Sequence, residues 1–246
     1  LLGAGRTKKE DTMKIGKAIR WGIAICLFPL TLPAQNIDIA RQYQQEVGIQ
    51  GLLYRGKLEK SYALGYANSP YYPTEYTTGK LTYRGLVYQD IPLLLNIEYK
   101  YLVMQSPDRK YSIILSPEAV PRATIGAWDY VYLGPEDHAP YQDYYIAVYE
   151  SPEWSIYKQF YISNINKQYE GSRMYLDFSI KERVYLKKDG RWTTISSRND
   201  FIKHFRQYRT QLVDYCKKNR LRPGDKREED WRKLAQYCNE LTKDKE

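Results

Sequence analysis

From Gly51 to Ile195 the chain never sustains a helical period. Its apolar residues come in short runs rich in Tyr, Val, Ile and Leu, cut by Gly, Pro, Asn and Asp. Runs of this kind read as strands bounded by turns. Residues 51–54 and 61–66 make a first pair. Residues 80–83 and 86–88 flank Arg84-Gly85, and 99–105 run into the turn Ser106-Pro107-Asp108-Arg109 before 111–115 resume. Segments 127–133, 144–149 and 155–161 follow. Residues 183–186 and 191–195 flank a turn in which Gly190 supplies the positive φ that a tight hairpin needs. Trp128, Tyr130 and Tyr132 alternate with Asp129 and Val131, the period of a strand with two unlike faces. Strands in succession, with no helix between them, imply antiparallel meanders. A sheet of about ten or more strands must curl or split. The expected fold class is therefore mainly β, an antiparallel meander forming a barrel-like or two-layer structure.

After residue 196 the period changes. Phe201, Phe205, Tyr208, Leu212 and Tyr215 are spaced four, three, four and three apart, and Trp231, Leu234, Cys238 and Leu241 repeat the pattern. Arg222-Pro223-Gly224-Asp225 separates the two stripes. Ser197 with Asp200, and Asp225 with Glu228, have the spacing of helix caps. The spacing predicts an α-helical hairpin whose stripes dock on the sheet or on each other. The expected organisation is an N-terminal segment 1–34, a β-rich domain 35–196 and a basic helical hairpin 197–246.

The first residues read as a processing signal. Met13 is the expected start. Lys14, Lys17 and Arg20 precede an apolar run from Trp21 to Leu32, and Pro33-Ala34-Gln35 close it. This is the pattern of a secretory signal peptide cleaved after Ala34. The run is shorter than a spanning helix and is broken by Pro29. Lipidation at Cys26 is disfavoured, because Ile25 precedes it and the apolar run continues past it. The expectation is a chain exported to the periplasm or the outer membrane, with no transmembrane span after cleavage.

Charge is unevenly placed. Residues 35–200 carry 19 basic and 19 acidic side chains, whereas 201–246 carry 13 and eight. The excess lies in the predicted helices and is interleaved with acids, as on a solvated helical face. With the export signal, this argues against nucleic acid as a partner and leaves an envelope protein or an outer-membrane complex.

Chemistry is sparse in this sequence. His138 and His204 form no motif, and no metalloprotease, nucleophile-elbow, P-loop or paired-cysteine signature occurs. No catalytic residue, metal site or cofactor is assigned, and an enzyme is the less favoured reading. Cys216 and Cys238 both fall on apolar stripes. Export permits a disulfide between them. In a tight hairpin, however, Cys216 faces Trp231, and seven residues of helix is ~10 Å against a Cα limit of ~7 Å. The alternative is two buried thiols. The strongest oddity is the 26 tyrosines. They serve packing and cross-strand pairing, a sugar- or peptide-stacking platform, or an amphiphile cavity.

Ser69-Pro70-Tyr71-Tyr72, the stretch from Gly79 to Gly85, Val87-Tyr88 and Tyr101-Leu102-Val103 form one set of motifs. Residues 184–190, the helix start at 196–205 and residues 215–221 form another. Together they resemble small exported cell-envelope proteins of Bacteroidetes, over most of residues 50–242. Ser69 departs from the pattern, which has Gly there. The resemblance implies a β-rich body with a C-terminal helical hairpin and carries no catalytic residues. Two functional expectations follow. One is a non-catalytic binding or accessory module for another envelope component. The other is a barrel-like carrier of a small amphiphile or glycan.

Overall fold

The computed structural model describes residues 41–42, 51–60, 62, 64–224 and 226–243, which lie in one compact unit, Pro33–Glu246. The predicted signal segment, including Met13, Cys26 and the cleavage site, lies outside the described residues.

Twelve strands are described. They are β1 (Lys57–Leu58), β2 (Gly65–Asn68), β3 (Tyr71–Tyr83), β4 (Leu86–Asn96), β5 (Tyr101–Gln105) and β6 (Ser112–Leu115). β7 (Arg122–Ile125), β8 (Trp128–Leu133), β9 (Asp143–Glu150), β10 (Trp154–Glu170), β11 (Arg173–Lys188) and β12 (Arg191–Thr194) follow. They form one sheet in the order β1-β6-β5-β4-β3-β7-β8-β9-β10-β11-β12. Two antiparallel meanders, β3 to β6 and β7 to β12, are thus joined where β7 pairs with β3. The sheet curls into a half-barrel and does not split into two layers.

Turn chemistry sets the register of two hairpins. Arg84 and Gly85 both have positive φ between β3 and β4, and so do Asp189 and Gly190 between β11 and β12. That conformation matches the twist of the flanking strands.

The inner face of the sheet buries one large core. Leu93 and Leu95 of β4, Leu102 and Met104 of β5, Ile146 of β9 and Ile156 of β10 all belong to it. Three helices fill the curl: α1 (Arg198–Lys203), α2 (Arg209–Lys218) and α3 (Glu228–Lys243). Trp231, Leu234, Ala235 and Cys238 of α3 are fully buried there. A large apolar side chain so buried contributes about 1.5–3 kcal/mol. Arg232 fixes α3 to the sheet, stacking 3.9 Å above the Trp128 ring. Among the described residues no helix is long and apolar enough to cross a membrane.

Contacts across the curl join strands that are not neighbours in the sheet. Lys100, in the β4–β5 turn, forms a 2.8 Å ion pair with buried Asp143 at the start of β9. Burial pushes the Asp143 carboxyl up, while Lys100 and the Gln159 amide oppose the shift. Tyr72 of β3 lies 3.9 Å from the Phe160 ring of β10.

Several expectations need correction. Leu52–Arg55 is a 3-10 turn, closed by the Tyr54 amide on the Gly51 carbonyl, and not a strand. β2 pairs in parallel with β11, off the main strand path, whereas the preceding β1 pairs with β6 at the opposite edge. β7 was not foreseen. β10 and β11 run to 17 and 16 residues, and the distal half of β10 carries polar residues that hide its strand pattern. The first helix is interrupted. Ser197 caps α1 through the Asp200 amide as expected, but His204 ends it, and Arg206–Tyr208 form a 3-10 turn before α2. Phe205 leaves helical geometry and packs 5.0 Å from Trp154. α3 begins at Glu228; Asp225, expected to cap it, lies outside the described residues.

Cys216 and Cys238 are both buried free thiols, each on an apolar helix face turned into the core. Burial raises the Cys216 thiol and pushes Cys238 up to about 12. Both stay protonated, and so poorly nucleophilic, well above neutral pH. Native protein at mildly alkaline pH is expected to resist iodoacetamide at both positions, with full alkylation in urea. A native mass two hydrogens lighter, or fast native labelling, would contradict this.

Candidate functional site

Three groups of tyrosines occupy distinct environments. Tyr88, Tyr130 and Tyr144 lie in the inner core. Tyr145, Tyr157 and Tyr185 pack with Trp192 on the outer face. A third set surrounds an open groove on the outer face of β3, β4 and β5, beside the chain that joins β1 to β2.

Glu59 is the centre of this third set. Its amide donates to the Ser112 carbonyl of β6 (2.8 Å), which fixes it just past β1. Its Oε1 accepts from the Tyr71 hydroxyl (2.9 Å), the Asn96 amide (3.2 Å) and the Tyr101 hydroxyl (3.3 Å). Asn96, fully buried at the end of β4, organises the surroundings. Its Oδ1 accepts from the Glu98 and Tyr99 amides and so builds the β4–β5 turn. Its Nδ2 faces Glu59 and the Tyr62 hydroxyl. The Tyr62 hydroxyl in turn donates to Glu98 (2.7 Å).

These bonds place the rings. Tyr62 stacks on Tyr99 at 6.1 Å, and Tyr99 on Tyr101 at 5.9 Å with planes 7° apart. Buried Phe178 of β11 backs Tyr62 edge-on at 5.4 Å. Tyr99 is 57% exposed and Leu58 55%. Tyr62 borders two grooves. One, of about 470 Å³, runs along Glu59, Tyr66 and Tyr76; the other, of about 420 Å³, runs along Leu58 and Tyr99. Both are of small-ligand size.

Electrostatics make the hydroxyls fixed donors. Burial, reinforced by Glu98, drives Tyr62 far above the ordinary phenol range. Burial with Glu59 does the same for Tyr71 and Tyr101. These protons remain in place through the alkaline range, each tied to a carboxylate.

No His or Cys lines either groove among the described residues. His138 is exposed in the turn before β9, in left-handed backbone. His204 ends α1, and burial together with Lys188 and Lys203 lowers its basicity. Among the described residues no three His, Cys, Asp or Glu side chains group as metal ligands. The arrangement offers ring faces, carboxylate oxygens and a shaped recess, which are means of binding. Glu59, Asn96 and Glu98 were not singled out in the sequence. The alternation of Tyr99, Tyr101 and Val103 was the available signal, since it puts them on one face.

Compared with known protein families, curated protein sequences and solved structures, the chain matches none.

Proposed function

We propose that this protein is a non-catalytic, exported cell-envelope module that binds another envelope component through the tyrosine groove. The observation that carries this is the Tyr62–Tyr99–Tyr101 ladder beside Glu59. It leaves the Tyr99 ring 57% exposed although the fold buries many other tyrosines. Exposed aromatic surface in a recess rimmed by polar groups is typical of interaction sites. Export is supported by the apolar run behind Lys14, Lys17 and Arg20, and by the resemblance to exported Bacteroidetes proteins.

The test is crosslinking of the tagged protein in cells, followed by mass spectrometry of what co-purifies. One dominant protein partner is expected at near-stoichiometric yield, and Leu58→Ser with Tyr99→Ser should abolish its capture. Absence of a partner, or undiminished capture by the double variant, counts against the reading. The groove volume favours a second reading, a carrier of a small amphiphile or glycan. Native mass spectrometry of freshly purified protein addresses it. A clean apo mass, unchanged by lipid or glycan extracts, eliminates it.

A further inference from the structure

The composition of the wider groove selects one ligand chemistry, an argument that rests on the binding-module reading above. Tyr62, Tyr66, Tyr71 and Tyr76 line it together with Glu59 and Glu75, and no lysine or arginine lines it among the described residues. Three of its tyrosine hydroxyls are already engaged. Tyr62 donates to Glu98, Tyr71 to Glu59, and Tyr76 shares a 2.7 Å hydrogen bond with Ser112. A neutral sugar needs donors as well as acceptors, and few are left to it. What the groove offers is π-faces and anionic oxygen.

Glu59 points the same way. Its three side-chain hydrogen bonds all fall on Oε1, and none reaches Oε2 among the described residues. Ring faces attract a cation through their quadrupole, and a carboxylate adds charge-assisted hydrogen bonds if the cation bears N–H groups. We infer that this groove is an aromatic–carboxylate cage for the basic side chain, lysine or arginine, of a partner protein. A quaternary ammonium would use the rings but has no N–H for the carboxylate.

The experiment titrates the full chain with N-acetyl-lysine methylamide and N-acetyl-arginine methylamide, followed by tyrosine ring shifts in NMR. N-acetyl-norleucine methylamide, choline and glucose are the comparisons. Saturable binding of the two N–H cations is expected, about tenfold tighter than any comparison. Glu59→Gln should weaken it about tenfold. Glu75 is exposed on β3, so Glu75→Gln keeps the fold and should also weaken binding. Equal binding of norleucine derivative, choline or glucose overturns the inference. So does the absence of saturable cation binding, or indifference to Glu75→Gln. A crosslinked partner with no cation binding removes the cage and leaves the module reading. Cation binding with no partner in cells does the reverse.

Discussion

Lys158→Ala is expected to lower unfolding stability by about 3–5 kcal/mol, measured by urea denaturation. Lys158 stands in the inner row of β10 between Ile156 and Phe160, and it is 2% exposed. Its ammonium pairs with Glu182 of β11 at 2.7 Å and with Glu228, the first residue of α3. It also lies 4.7 Å above the Phe160 ring. Removing it leaves two carboxylates facing each other, each only 17% exposed, with no counter-charge and an unfilled volume. Water screens such a pair poorly, so added salt should rescue little of the loss. The companion variant separates charge from packing. Lys158→Met with Glu182→Gln and Glu228→Gln keeps the volumes and removes all three charges. Replacing a buried ion cluster by neutral groups is often neutral or stabilising, so this variant should match the parent to within about 2 kcal/mol. A loss below about 1 kcal/mol for Lys158→Ala would show that the triad does not hold α3 to the sheet.

The second large effect belongs to a glycine that needs space and not an unusual φ. Gly79 is buried on β3 where β4 and β7 flank it, opposite Ile91 on one side and Ile125 on the other. A β-carbon there would collide with the Thr124 carbonyl and lie 2.7 Å from Leu93 Cδ1. Neighbouring backbone cannot yield as a side-chain end can. Gly79→Ala should therefore cost about 3 kcal/mol, at the top of the usual range for overpacking. Gly85 gives the contrast. Its φ is +80°, and a β-carbon would meet nothing within 4 Å. Gly85→Ala should cost about 1 kcal/mol through backbone strain alone. Urea denaturation of both variants gives the order directly. Equal losses would mean that the β3–β7 contact is looser than the structure shows.

The strand plan was legible where local chemistry is decisive. Arg84-Gly85 and residues 187–190 announce their hairpins because tight turns require positive φ. The stripe Trp231, Leu234, Cys238 and Leu241 announces α3 because only a helix aligns that spacing. Ser197 announces the start of α1 because its side chain satisfies an otherwise orphaned amide.

What the sequence by itself determined is therefore local: the mainly β character, the need for so many strands to curl, the turns, and the helical end. The tertiary structure decided which distant pieces meet. β2 joins β11 in parallel although more than a hundred residues separate them. Glu59 gathers Tyr71, Asn96 and Tyr101 from three strands, and Lys158 finds Glu228 seventy residues away. Periodicity records only which face of its own element a residue occupies. It carries no information on which elements will face one another once the sheet curls. Both the tyrosine groove and the buried ion triad are products of that long-range closure, so neither left a motif in the chain.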